Sequence, residues 1–201
     1  MRNRRQTTSH RPGATPRGHD HRGRWSELLD TCVSNTGTIE AGPGVAIIKE
    51  LGHTPPTDPF DPMQVSTMNA MINGRRIVED SMIVCILANQ DFKLEVDALN
   101  AVTGFDYQLQ EALDVGRRAV NLLRLFNFRH GMTKEIEAPS TRYASVPVDG
   151  PHAGKDIMPH WEAMRSNYYK CMGWDPETGK PLPETLEALG LGDLVADLDR
   201  L

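Results

Sequence analysis

QLQEALDVGRRAVNLLRLFNF, from Gln108 to Phe128, is the stretch on which the fold turns. Leu109, Ala112, Leu113, Gly116, Val120 and Leu123 recur at steps of 3, 4, 7 and 11, the period of one helix face, while Arg117, Arg118 and Arg124 fall on other faces. The spacing predicts a long amphipathic helix, the strongest in the chain.

Working outward, the other apolar segments repeat the same period. KLEVDALNAVTGFD predicts a shorter helix stopped at Thr103 and Gly104, and DIMPHWEAMRSNYYKCMGW another that runs to Gly173. PETLEALGLGDLVADLDRL closes the chain as two short helical pieces. Towards the N-terminus, RWSELLDTCVS places Trp25, Leu28, Leu29 and Cys32 at helical spacing, and VAIIKELG reads as a short helix ended by Gly52. Four prolines forbid regular structure in HTPPTDPFDP, until Asp61 and Pro62 supply a helix cap and first turn. Helix is then expected to about Leu87, with Asn73 and Gly74 kinking or splitting it. The segment between His130 and Asp156 reads as a long irregular connection. No run of alternating β-branched residues exceeds a few positions, so the fold class is all-α and multihelical.

Composition bounds the rest. The 201 residues are 39% hydrophobic and 24% charged, enough for one globular body or two small subdomains around a core. No apolar run approaches the roughly 18 to 20 residues needed to cross a bilayer. Arg4 and Arg5 form a twin-arginine pair, but a polar stretch follows where an export signal needs apolar residues, so the expected compartment is the cytoplasm. Residues 1–24 hold seven Arg and one Asp in a chain of net charge −5, which leaves an acidic body behind a basic arm. The arm reads as disordered, with His10, His19 and His21 as solvated histidines, and the domain proper as 25–201. Without a basic face on the body, nucleic acid is not an expected partner, and neither is a membrane.

The three cysteines, Cys32, Cys85 and Cys171, are too far apart for a C-x-x-C pair or a disulfide framework. Cys32 reads as core and Cys171, at a helix end, as half-buried and inert. In EDSMIVCILAN, Val78, Met82, Cys85 and Ile86 lie on one helical stripe, which makes Cys85 core by spacing alone. A five-residue step points Asp80 about 140° away from it. Either Asp80 is a solvated surface group, or the pair serves two adjacent ligands, or the helix breaks between them.

Three collinear stretches resemble the C-terminal helical domains of the aldehyde ferredoxin oxidoreductase family, the tungsten and pterin enzymes. EDSMIVC resembles the family's D-x-x-x-x-C element, and NAVTGFDYQLQEALDVGRRAVNLLRLFNFRHGMTKE its N-A-x-T-G-[WF]-D element with the helix and R-x-G-x-[ST] turn that follow. GPHAGKDIMPHWEAMRSNYYKCMGWDPETGKPLPETLEALGL is similar to its closing G-P-x-x-G, Y-Y-x-x-x-G-W-D and P-x-x-x-L-x-x-L-G-L. Together they cover about residues 78–191, with a weaker similarity from Trp25 to Ile77 and none in the first 24 residues.

The resemblance implies a ligand for each group of the D-x-x-x-x-C element. Cys85 would be one thiolate of a 4Fe-4S cluster and Asp80 a hydrogen-bond acceptor for the pterin of a tungsten bis-pterin (molybdopterin) centre, with Val84 beside it on the cofactor side. Many members carry Gly-Leu where this chain has Ile83-Val84, and glycine permits close backbone approach. The family's other cluster cysteines form a C-x-x-C-x-x-x-C run after a β-rich pterin-binding domain, and neither lies in these 201 residues. The cluster would be shared with an upstream domain or subunit, and ferredoxin or a similar carrier would take the electrons. The implied activity is oxidation at an aldehyde or oxo group; the alternative is a non-catalytic helical remnant or split subunit acting as an interaction module. Asn35, Thr38 and Glu40 of SNTGTIE, and His53, are further candidates for lining the tungsten pocket, with capping and turn formation as their structural reading. Tyr168, Tyr169 and Trp174 read as packing residues.

Overall fold

A computed structural model describes residues 20–36, 40, 47–85 and 90–200. Among them are seven α-helices and no strand: α1 Trp25–Val33, α2 Pro62–Ile72, α3 Arg75–Ser81, α4 Phe92–Thr103, α5 Leu109–Arg129, α6 Trp161–Cys171 and α7 Pro183–Ala188, with short 3-10 turns between them. The one β-type contact among the described residues is an isolated bridge between Trp174 and Pro181.

The helices begin where local chemistry caps them. Asp61 accepts from the Met63 and Gln64 amides, both at 2.9 Å, with Pro62 in the first turn of α2. Asp91 accepts from Leu94 N at 3.0 Å to start α4, and Gly104, at φ +76°, stops it. At α5, the Gln108 amide donates to the Glu111 carboxylate at 2.7 Å, half of a capping box.

Two cores flank α5. The larger packs α1, α2 and α6 together through Leu28, Leu29, Cys32, Val65, Met164, Tyr168 and Trp174, with Val120 reaching it from α5. The smaller joins α3, α4 and the first half of α5 through Val78, Phe92, Val96, Ala112 and Leu113, with Ile48 closing it. Each fully buried leucine contributes about 1.5–3 kcal/mol, so α5 is held from both ends.

Several expectations shift. Arg124, read as lying on a face other than the apolar stripe, is fully buried. Trp174, Phe128 and Tyr169 surround its guanidinium at 4.2, 5.1 and 5.2 Å, and Glu137 pairs with it while also accepting from the Tyr169 hydroxyl. Burial opposes the charge on Arg124, but Glu137 outweighs it and the pKa rises. VAIIKELG yields only a 3-10 turn at Lys49–Leu51 within the described residues. The arm ends earlier than composition suggested. His21, read as a solvated histidine, is fully buried, stacked on Tyr143 and 3.4 Å from Glu27 in a 3-10 turn capped by Asp20. Residues 1–19, with His10 and His19, lie outside the described residues. Tyr168, Tyr169 and Trp174 are packing residues, all fully buried.

Candidate functional site

The site begins with a helix break. α2 ends at Ile72, Asn73 is extended, and Gly74 takes φ +99° before α3 starts. This kink sits against α5, where a Cβ on Gly116 would lie 2.0 Å from the Gly74 carbonyl oxygen, so only glycine fits there. The next α5 residue completes the joint: the Arg117 guanidinium donates to the carbonyls of Ala70, Met71 and Asn73 at 3.2, 3.1 and 3.3 Å, at the end of α2. Arg117, Gly116 and the kink thus fix the direction in which α3 carries Asp80.

Helix α3 is anchored by a buried ion pair one turn apart, Arg75 Nε to Glu79 Oε1 at 2.6 Å, with Arg75 over the Phe92 ring at 5.5 Å. Burial raises the Glu79 pKa against the opposing pull of Arg75. Arg75 Nη1 and Nη2 and Glu79 Oε2 are buried without a hydrogen-bond partner among the described residues, so the buried side of α3 keeps unsatisfied polar capacity.

The helix stops at Ser81, six residues short of the expected Leu87, by a Schellman motif. Val84 N donates to Glu79 O at 3.0 Å and Ile83 N to Asp80 O at 3.1 Å, with Ile83 at φ +59°. The motif wants glycine at this position, and Ile83 is the one non-glycine residue with positive φ among the described residues. The conformation is retained with a β-branched side chain that is 94% exposed.

Of the alternatives open for Asp80 and Cys85, a break between them is the one observed. Asp80 sits in the last turn of α3, exposed, with Arg76 Nε at 3.0 Å. Cys85 lies beyond the stop, exposed and free, not in the core as helical spacing implied. The stripe Val78, Met82, Cys85 ends because the helix does; Ile86 lies outside the described residues. Val84 is half-buried with its amide committed to Glu79, so its carbonyl is what it can offer a ligand.

The other candidates are elsewhere. Glu40 is buried and accepts from Asn35 N at 2.8 Å and from the Asn35 and Asn73 side-chain amides, both at 3.2 Å. Burial raises its pKa against these hydrogen bonds. Asn73 also donates to the Tyr168 hydroxyl at 3.0 Å, so the network ties Glu40 to the α2–α3 break. His53 is buried, its pKa lowered by burial and by the Arg117 charge. Thr38 lies outside the described residues. Cys32 is fully buried, and burial pushes its thiol far up, which keeps it protonated. Cys171, expected half-buried, is exposed at the end of α6 with Thr67 Oγ1 at 3.9 Å from its sulfur.

No three His, Cys, Asp or Glu side chains among the described residues gather as a metal site. The donor set fits one share of a cluster and one of an adjacent organic ligand: a partner-free surface thiol past the helix stop, and an exposed carboxylate before it. The kink chemistry of Gly116 and Arg117 and the left-handed Ile83 escaped sequence reading. Asn73-Gly74 was the only signal for the first, and the second would have needed a glycine to show itself.

A family model described as aldehyde ferredoxin oxidoreductase, domains 2 and 3, matches residues 3–191. The match reaches into the arm, which was read as unlike the family. The chain is similar to the tungsten-containing aldehyde ferredoxin oxidoreductase of Pyrococcus furiosus, 28% identical over 184 residues, covering 87% of this chain and 29% of that protein. The protein of the same name from Thermococcus kodakarensis is 27% identical over 186 residues, 88% of this chain and 30% of its own length. The aliphatic sulfonate oxidoreductase, WOR-like subunit, of P. furiosus is 29% identical over 133 residues, 61% of this chain and 21% of that subunit. The chain thus spans less than a third of the length of these relatives.

Proposed function

Because the chain belongs to the aldehyde ferredoxin oxidoreductase family, we propose that it is the C-terminal helical portion of a tungsten–pterin oxidoreductase acting on an aldehyde or oxo group. Cys85 contributes one thiolate to a 4Fe-4S cluster and Asp80 accepts hydrogen bonds from the pterin, with Val84 beside it. The observation that carries the reading is the Schellman stop. It places a free, exposed thiol on an irregular segment and leaves the Asp80 carboxylate on the helix, so each meets a different ligand.

The roles of this chain's residues follow from their chemistry. A thiolate is a soft ligand suited to iron, and Cys85 is an exposed, free thiol among the described residues. The Asp80 carboxylate can accept two N–H bonds once it exchanges its surface pairing with Arg76, a cheap exchange for an exposed ion pair. When bound, the tungsten–pterin centre would supply the oxidation and the cluster the one-electron relay to ferredoxin or a similar carrier. The remaining cluster ligands come from an upstream pterin-binding domain or subunit, and the assembly works in the cytoplasm. Among the described residues, no helix is long and apolar enough to cross a membrane.

Anaerobic reconstitution with iron and sulfide tests this. The chain alone should take up no stable 4Fe-4S cluster, because one thiolate leaves three iron corners without protein ligands. Co-expressed with a family segment carrying C-x-x-C-x-x-x-C, it should hold one, and Asp80→Asn should keep the iron while weakening pterin retention. A full cluster on the chain alone would overturn the shared site. No cluster in the complex would favour a non-catalytic helical module.

A further inference from the structure

We propose that Arg76 is a second recognition residue of the site, which together with Asp80 reads the 2-amino-4-oxo edge of the pterin ring. This role rests on the assignment of Asp80 to the pterin and names the ring edge that the pair accepts. RRIVED, from Arg75 to Asp80, carries two arginine–acid pairs at the same i, i+4 step. The first, Arg75 with Glu79, is fully buried and fixes how α3 is turned against its core, with Arg75 over the Phe92 ring. The second, Arg76 with Asp80, comes one residue later, about 100° round the helix, with side chains 31% and 56% exposed. It therefore stands on a helix whose rotation is already set, beside the stop at Ser81.

The order of atoms along the pair decides what it fits. Arg76 Nε lies 3.0 Å from Asp80 Oδ1, so Oδ1 is the oxygen beside the guanidinium and Oδ2 the outer one. A flat ligand laid along the pair meets an acceptor, a second acceptor and then the N–H donors of the guanidinium. The 2-amino-4-oxo edge of a pterin is the inverse: its amino group and ring N3–H donate, and the adjoining O4 carbonyl accepts. The carboxylate takes the two N–H groups and Arg76 donates to O4. Carboxylate and guanidinium are both planar, which suits an edge whose three polar atoms lie in one plane. The two charges cancel, so the pair offers donors and acceptors to an uncharged ring and leaves no net charge unmatched beneath it. Loosening the direct contact costs little at an exposed site, and the guanidinium stays one turn away on the same face, where O4 is its next acceptor.

The test is the binding of two free ligands, followed by their fluorescence, to the complex with the C-x-x-C-x-x-x-C segment assembled without its tungsten cofactor. One ligand is pterin; the other is lumazine, which keeps N3–H and O4 but has a carbonyl in place of the 2-amino group. Arg76→Met is expected to weaken both by the same factor, about tenfold, because O4 is common to them. Asp80→Asn should weaken pterin about tenfold and lumazine less, since lumazine already lacks one of the N–H groups that the carboxylate takes. Arg76→Lys, which keeps the charge but not the planar fork, should recover only part of the loss. All three variants should melt with the native chain, as an exposed ion pair contributes little to stability. Pterin binding that survives Arg76→Met but not Asp80→Asn would overturn the role of Arg76 and leave that of Asp80 standing. Indifference to both substitutions, or no binding of either ligand, would overturn the assignment of the pterin to this helix as well.

Discussion

Ile83 is where the strain of this molecule is most local. Holding a β-branched residue at φ +59° costs roughly 1–2 kcal/mol, and a side chain 94% exposed recovers little of that by packing. Ile83→Gly is therefore expected to stabilise the chain by about 1 kcal/mol after the extra flexibility of the unfolded glycine is counted. Thermal unfolding should shift up by about 2–4 °C. An unchanged or lower midpoint would mean that the isoleucine side chain makes a contact that matters more than its backbone strain. The three thiols separate just as clearly. Cys85 and Cys171 are exposed and Cys32 is not, so a thiol reagent should modify two cysteines in the native chain and the third only on unfolding. Rapid labelling of Cys32 in the folded protein would contradict its place in the core.

At the scale of elements, the joint between α2, α3 and α5 carries the site. Gly116→Ala would push a Cβ into the Gly74 backbone, which cannot rotate away, and is expected to cost about 1–3 kcal/mol or more in a denaturant titration. A loss under half of that would show that the two helices can part without harm. The helices themselves were largely legible in the sequence, because their signals are local: the apolar period of α5, the Asp61-Pro62 start of α2, Gly104 at the end of α4. The stop after Ser81 was not legible, since the glycine that normally announces it is an isoleucine here and the apolar stripe runs on past the helix end. Cys85 consequently looked buried. The partners of Arg117 and the burial of Arg124 were hidden for a related reason. Period shows which way a side chain leaves its helix, but not that carbonyls of α2 or the carboxylate of Glu137 wait there to receive it. His21 was taken for part of a solvated arm because its partner Tyr143 is distant in sequence.

Across the whole molecule, buried carboxylates set a pH dependence. The Glu40 pKa is raised by burial above its usual 4.5. A group raised on folding adds stability that is fully present below its unfolded pKa and is lost as pH climbs through the folded one. The stability of the native chain relative to Glu40→Gln should therefore fall as pH rises above about 4.5. A difference that grows in favour of the native chain over that interval would contradict a Glu40 pKa raised by burial. The joint, the helix stop and the two cores bear on one proposal, that this chain presents a single thiolate to a cluster completed from outside it. The most direct measurement is the visible absorption and iron content of the chain reconstituted anaerobically with a C-x-x-C-x-x-x-C family segment, compared across Cys85→Ser, Cys32→Ser and Cys171→Ser. Loss of the cluster in Cys85→Ser alone is the predicted result, and a cluster that survives Cys85→Ser would contradict the account.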